Sequence, residues 1–156
     1  MKVECWCMGK TTEPYLKEGI EVYVKRLGFY FPFQWVELPD VKPKLLDAQA
    51  LKRAEGQLFL QKIKPEDYVV LLDEAGREYT SVELSVWLER RFNAAPKRVL
   101  FLVGGAFGFS PDLYGRAQEK WSLSRLTFSH QMIRLFAVEQ LYRAMTILKN
   151  EPYHNP

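Results

Sequence analysis

The chain is poor in the residues that advertise chemistry most directly. It has two cysteines and two histidines in 156 residues. Cys5 and Cys7 stand two apart, so they share one face of a strand. No second pair exists to complete a zinc ribbon, and a bridge between them is not expected in a reducing compartment. Adding His130 and His154 gives four donors whose spacings match no zinc template, so no metal is expected. Long apolar runs are also missing. Nothing approaches the roughly 18 residues that span a bilayer, and the opening Met1–Cys7 lacks the apolar stretch of a signal peptide. A cytoplasmic protein without a membrane partner is the expectation. Charge of one sign is scarce too: 22 Lys and Arg against 19 Asp and Glu leave a net charge of +3. Such a balance excludes a polybasic protein that binds nucleic acid by charge alone, though not an enzyme acting on nucleic acid.

What is abundant is core-forming material. Hydrophobic residues make up 47% and aromatics 14%, the latter as 4 Trp, 8 Tyr and 10 Phe. That supplies one domain over residues 1–156. Lys2–Cys7 and Phe33–Leu38 read as strands, and Tyr68–Leu72 and Arg98–Val103 as continuously apolar strands buried on both faces. A brief strand around Trp121 covers 120–122. Helical spacing marks 11–27, with Thr11 or Thr12 as a cap before Pro14, and also 44–62, Ser81 to about Phe92, and 130–149. Pro111-Asp112 opens a short helix, and 73–77 reads as a turn. Strands alternating with helices predict an α/β fold, a mainly parallel sheet flanked by helices.

Open parallel sheets bind ligands beyond the carboxyl ends of their strands. Two loops qualify, one following Leu72 and one beginning at Gly104. The adjacent Gly104 and Gly105 permit positive φ and close approach to backbone. They serve equally well as a tight turn. A dinucleotide fingerprint fails, because its first glycine falls on Val103. Gly9-Lys10-Thr11 ends like a phosphate-binding loop, but Glu4 stands where the full motif needs its first glycine. Ser122–His130 offers small hydroxyls and apolar side chains before the last helix, suited to holding an adenine, and Ser129 also suits a helix cap. The last helix is apolar on more than one face, from Met132 to Leu148. Either a second subunit or a central place in its own domain accounts for that. Tyr153 and His154 crowd the C-terminus, where a histidine can act as acid, base or donor. His130 reads as structural.

These pieces together resemble a known family. Leu-Leu-Asp at 71–73, Leu-Val-Gly-Gly-Ala-Phe-Gly-Phe-Ser at 102–110, Trp-Ser-Leu-Ser-Arg-Leu-Thr-Phe-Ser-His-Gln at 121–131, Val-Glu-Gln-Leu-Tyr-Arg-Ala at 138–144 and Pro-Tyr-His at 152–154 are similar to the RlmH family of SPOUT methyltransferases. The resemblance covers essentially the whole chain. It implies a C-terminal trefoil knot, a homodimer, and S-adenosylmethionine as cofactor. The contacts it implies for that cofactor are Leu72, Gly104, Leu123, Ser124, Arg125, Leu126, Thr127 and Phe128. It further implies methyl transfer to N3 of pseudouridine 1915 in helix 69 of 23S rRNA, in the large subunit or the assembled ribosome. Asn155 stands where the family tail usually has a basic residue, so a phosphate contact implied there lacks its cation.

On this reading Tyr153 and His154 are the catalytic pair, positioning the base or helping to remove its proton, in their own or a partner subunit's site. Arg134 and Arg143 meet phosphates or the cofactor carboxylate, or else form salt bridges within the helix. Two rival functions stay open: a nucleotide-binding oxidoreductase, and a non-catalytic ribosome-binding protein with a methyltransferase-like fold.

Overall fold

Each of the five apolar segments becomes a strand, and every strand pairing is parallel. The computed structural model describes residues 1–41 and 47–156. The order along the chain is β1 (Lys2–Met8), α1 (Pro14–Leu27), β2 (Phe33–Leu38), α2 (Ala48–Lys62), β3 (Tyr68–Glu78), α3 (Ser81–Ala94), β4 (Arg98–Val103), α4 (Pro111–Arg116), β5 (Glu119–Ser122) and α5 (Met132–Leu148). Across the sheet the order is β2-β1-β4-β3-β5.

The alternation of side chains along a strand explains the layers. Val3, Cys5 and Cys7 of β1 join Phe101, Val103 and Val70 in a core with residues of α1, α3 and α5. Trp6 and Met8 point the other way and join Leu100, Leu102, Leu71, Phe59 of α2 and Leu113 of α4. Covered on both faces, Val69–Leu72 of β3 and Val99–Val103 of β4 carry no polar residue. Both cysteines are buried thiols, and burial pushes that of Cys7 well up.

Several boundaries differ from the sequence reading. The first helix begins at Pro14, and neither Thr11 nor Thr12 caps it. The Thr11 hydroxyl is used elsewhere, donating to Glu37 Oε2 at 2.5 Å. The second helix begins at Ala48, where Asp47 accepts from the Ala50 N–H at 2.7 Å; residues 44–46 of the expected helix lie outside the described residues. The expected turn at 73–77 is instead a continuation of β3. Leu72 and Arg77 both pair with Trp121, so the four residues between them form a detour in the ladder. Gly76 permits it: a Cβ there would lie 2.6–2.7 Å from the backbone of Lys120 and Trp121. Turn-forming composition is compatible with such a bulge, and periodicity does not separate the two.

The doubly apolar last helix has its explanation within the chain. α5 lies between α1 and α3 on one face of the sheet. Leu135 packs against Gly19 of α1, Tyr142 stacks at 5.7 Å on Tyr23 of α1, and Gln140 accepts from Ser81 of α3 at 2.8 Å.

The start of α5 is pinned by one buried cation. Arg134 is 0% exposed. Its guanidinium donates to the Met8 carbonyl at 2.7 Å, the Gly9 carbonyl at 2.9 Å, Thr11 Oγ1 at 3.0 Å and the His130 carbonyl at 3.3 Å. Glu37 supplies the counter-charge at 3.8 Å. Burial alone would raise the Glu37 carboxyl, but hydrogen bonds from Thr11 and Trp35, with the Arg134 charge, hold it below the ordinary carboxylate range. Arg134 therefore meets neither phosphate nor ligand, since all its donors point into the protein.

Arg134→Ala should lower unfolding stability by about 3–5 kcal/mol, the usual result of removing one partner from a buried ionic network, as read from a urea midpoint. Acid should act on the same network. A carboxyl with a depressed folded pKa stabilises above its unfolded value and loses that contribution as pH falls through the folded value. Stability should therefore drop below about pH 4, and Glu37→Gln should flatten that part of the pH profile.

Candidate functional site

A cavity of about 590 Å³ opens at the carboxyl ends of three adjacent strands. Leu72 of β3, Val103 and Gly104 after β4, and Trp121 and Ser122 of β5 form its floor. Its size lies within the usual range for small-molecule sites. The segment after β5 arches over it. Ser122 Oγ donates to the Ser124 carbonyl at 2.8 Å, and Ser124 Oγ accepts from the Leu126 N–H at 3.0 Å. These local bonds shape the arch without glycine or proline. Ser129 Oγ accepts from the Met132 N–H at 3.0 Å, ending the arch at the helix.

Seven of the eight expected binding residues line this cavity: Leu72, Gly104, Leu123, Ser124, Leu126, Thr127 and Phe128. Arg125 does not line it and is exposed. In the glycine loop the positive φ falls on Gly108, at +85°, not on the adjacent pair. Gly104 matters for space: a Cβ there would press on the Phe109 ring and the Gly108 carbonyl at 3.2–3.3 Å.

The cavity also has residues that sequence reasoning passed over. Asp73, Glu74, Tyr114 and His130 all line it. Asp73 and Glu74 sit in the segment read as a turn, and the signal that could have marked them is their place directly after a buried strand. Asp73 accepts from the Ala75 N–H at 2.8 Å and from the Tyr114 hydroxyl. Burial and that carboxylate push the Tyr114 phenol up to about 12. His130, read as structural, also lines the cavity, and its carbonyl serves Arg134. Burial, then the nearby Arg134 charge, lowers its pKa below the ordinary histidine value, so it adds no cation at neutral pH. Among the described residues, two carboxylates and no Lys or Arg line the cavity. Such a site favours a ligand bearing positive charge and disfavours the diphosphate of a dinucleotide.

The C-terminal pair is held elsewhere. Tyr153 and His154 line neither this cavity nor the smaller one beside it. The Tyr153 hydroxyl donates to Glu139 Oε1 at 3.0 Å and lies 3.2 Å from the Tyr23 hydroxyl. Its ring meets Tyr142 edge-on at 4.8 Å, with the Arg143 guanidinium 4.8 Å over its face. Burial and these partners raise the Tyr153 phenol far above its ordinary range, so it stays protonated and acts as a donor. Arg143 forms the helix salt bridge, reaching Glu139 Oε1 at 2.6 Å. Its Nη1 lies 3.3 Å from His154 Nδ1. Guanidinium only donates, so that contact takes the Nδ1 lone pair and leaves the His154 proton on Nε2.

The chain matches a family model described as "Predicted SPOUT methyltransferase" over residues 1–154. It is 51% identical over 156 residues to the Ribosomal RNA large subunit methyltransferase H of Parabacteroides distasonis, covering 99% of each chain. It is 46% identical over 155 residues to the protein of the same name from Cytophaga hutchinsonii, covering 99% of this chain and all of the relative.

Glu139 is the anchor of the tail, since both Tyr153 and Arg143 bind it. Glu139→Leu should release residues 151–156, seen as faster amide exchange in that peptide, at a cost of about 1–2 kcal/mol in global stability.

Proposed function

The chain belongs to the SPOUT methyltransferase family, and on that premise we propose that it methylates large-subunit ribosomal RNA with S-adenosylmethionine as donor. The acceptor we propose is N3 of pseudouridine 1915 in helix 69 of 23S rRNA. The observation that carries the reading is the cavity at the ends of β3, β4 and β5. It has the volume for a nucleoside-sized cofactor, a glycine that keeps its wall open, and carboxylates rather than cations facing a ligand whose sulfonium and ammonium groups are positive.

In this reading Leu72, Gly104, Leu123, Ser124, Leu126, Thr127 and Phe128 hold the cofactor, while Arg125 stands outside the cavity. Asp73 and Glu74 provide the negative potential. Bound there, S-adenosylmethionine supplies an electrophilic methyl group on sulfur. The chain's own work is orientation, which is where most of the rate in a two-substrate transfer arises. N3 of the base must release its proton, to solvent water, as it takes the methyl group. The Nε2–H of His154 acts as the donor that fixes a base carbonyl, and Tyr153, held on Glu139, positions the tail that carries it.

Because the tail lines neither of these two cavities, we propose a homodimer in which His154 of one copy serves the cavity of the other. The exposed side chains at the cavity rim, Leu126 at 69% and Phe107 at 54%, and Phe136 on the outer face of α5, are consistent with that cover. The knotted C-terminal half that the family implies is part of the same reading. One domain acting in the cytoplasm completes the reading; no helix among the described residues is long and apolar enough to cross a membrane.

The test is methyl transfer to ribosomal particles from cells lacking the gene, read by mass spectrometry of the rRNA. Transfer to the pseudouridine is expected, and its persistence in those cells without the protein would reject the assignment. His154→Ala should keep cofactor affinity and slow methylation about 100-fold. Mixing it with Gly104→Leu should restore activity, because only a tail acting in the other subunit regenerates one intact site.

A further inference from the structure

A second cavity, of about 190 Å³, adjoins the first. Trp121, Leu123 and Phe128 line both, so one wall of side chains separates them. The rest of its lining comes from the start of α3 and the middle of α5, including Thr80, Phe136 and Gln140. At this volume it falls below the roughly 300 Å³ of ordinary ligand pockets. It suits a single ring rather than a whole nucleoside. Phe128 and Phe136, with ring centroids 5.2 Å apart, give it the aromatic surface on which extruded bases stack.

Its polar feature is the Gln140 carboxamide. Oε1 accepts from Ser81 Oγ at 2.8 Å, and Nε2 donates to Glu139 Oε2 at 2.9 Å. A carboxamide has two acceptor lone pairs and two N–H donors. One lone pair and one N–H are therefore still uncommitted on the same planar group. Their complement is a ring edge with an N–H next to a C=O. Pseudouridine offers such an edge away from N3, whereas the one ring N–H of uridine is N3 itself. The pseudouridine ribose is attached at C5, so N1–H is free beside C2=O, whereas the uridine N1 bears the sugar. With that edge on Gln140, N3 lies on the far side of C2 and is free to face the cofactor cavity.

We propose that the smaller cavity receives the acceptor base and that Gln140 distinguishes pseudouridine from uridine by pairing with the N1–H/C2=O edge. This assignment rests on the function proposed above. It also gives Glu139 a second role. The same carboxylate that holds Tyr153 and Arg143 orients the Gln140 amide, so the tail and the base pocket are set by one group.

The experiment compares single-turnover methylation of two large-subunit preparations, one carrying pseudouridine and one carrying uridine at the target, with cofactor affinity measured separately. A site that pairs with a substrate N–H discriminates strongly against the analogue lacking it, so the wild-type protein should prefer pseudouridine by tenfold or more. Gln140→Leu should bring the two rates within about threefold by losing rate on pseudouridine, with cofactor affinity unchanged. Gln140→Glu, nearly isosteric, replaces the free donor by an acceptor and should do the same if the leucine variant folds poorly. An RNA carrying N1-methylpseudouridine should behave like uridine with the wild-type protein. Retention of the wild-type preference in both variants, or equal rates on pseudouridine and its N1-methyl form, would overturn the assignment of Gln140. A wild-type protein that binds the cofactor yet methylates neither preparation would instead overturn the function on which the assignment rests.

Discussion

The buried guanidinium of Arg134 fixes where the last helix begins, and the cavity follows from that. Its donors hold the first turn of α5 to the carbonyls at the end of β1. β5 is at the sheet edge, three strands away in the order β1-β4-β3-β5. The chain between Ser122 and Met132 must therefore cross the ends of β3 and β4 to reach its helix. Three strand spacings amount to about 14 Å, while nine residues extend to about 30 Å. The connection thus has slack, and the hydrogen bonds of Ser122 and Ser124 gather that slack into an arch. A roofed cavity results without any lid element. Isolating a charge this deeply is costly, and four donated hydrogen bonds with a carboxylate beside them make it tolerable. Those same carbonyls would be left without donors if the arginine were lost.

The electrostatics of the site follow from the strand ends as well. The residues that continue β3 past Leu72 are acidic, and the residues that follow β4 are glycine, alanine and phenylalanine. The floor therefore carries negative charge on one side and bare backbone on the other. Tyr114, from the short α4, donates its hydroxyl to Asp73. A cation entering this cavity meets carboxylates in partly desolvated surroundings, where an ion pair is worth more than at a free surface. An anion such as a phosphate meets repulsion.

Much of this was legible from the sequence, and the remainder was hidden for definable reasons. Continuously apolar runs gave the buried strands, because no other element in a chain of this composition needs two apolar faces over five residues. The loops after Leu72 and Val103 followed from strand direction alone. By contrast, Asp73–Arg77 has turn-forming composition but forms a bulged strand, because the decision lies in its partner β5 and not in its own residues. Arg134 and Arg143 are alike in sequence, nine apart on one helix, yet one is wholly buried and the other pairs with Glu139 at the surface. Which face of α5 meets the sheet decides between them, and the helix is too uniformly apolar for its periodicity to reveal that. The two-sided apolar character of α5 had two explanations, and its seat between α1 and α3 supplies the one within a single chain.

The tail poses the remaining question of how so small a protein recognises RNA. A net charge of +3 cannot hold a polyanion by itself at physiological salt, where binding weakens steeply with each phosphate contact that ions compete for. Asn155 withholds one further cation from the tail. Recognition must then come from shape and from hydrogen bonds to the base. The Glu139 carboxylate meets that requirement economically. It binds Tyr153 and Arg143 on one side and Gln140 on the other, so a single buried-side charge orients three donors that would otherwise be free rotors. If these donors meet the RNA as proposed above, their entropy is lost on folding and not on binding. In a chain with little net charge, such preorganisation is the physical substitute for electrostatic attraction.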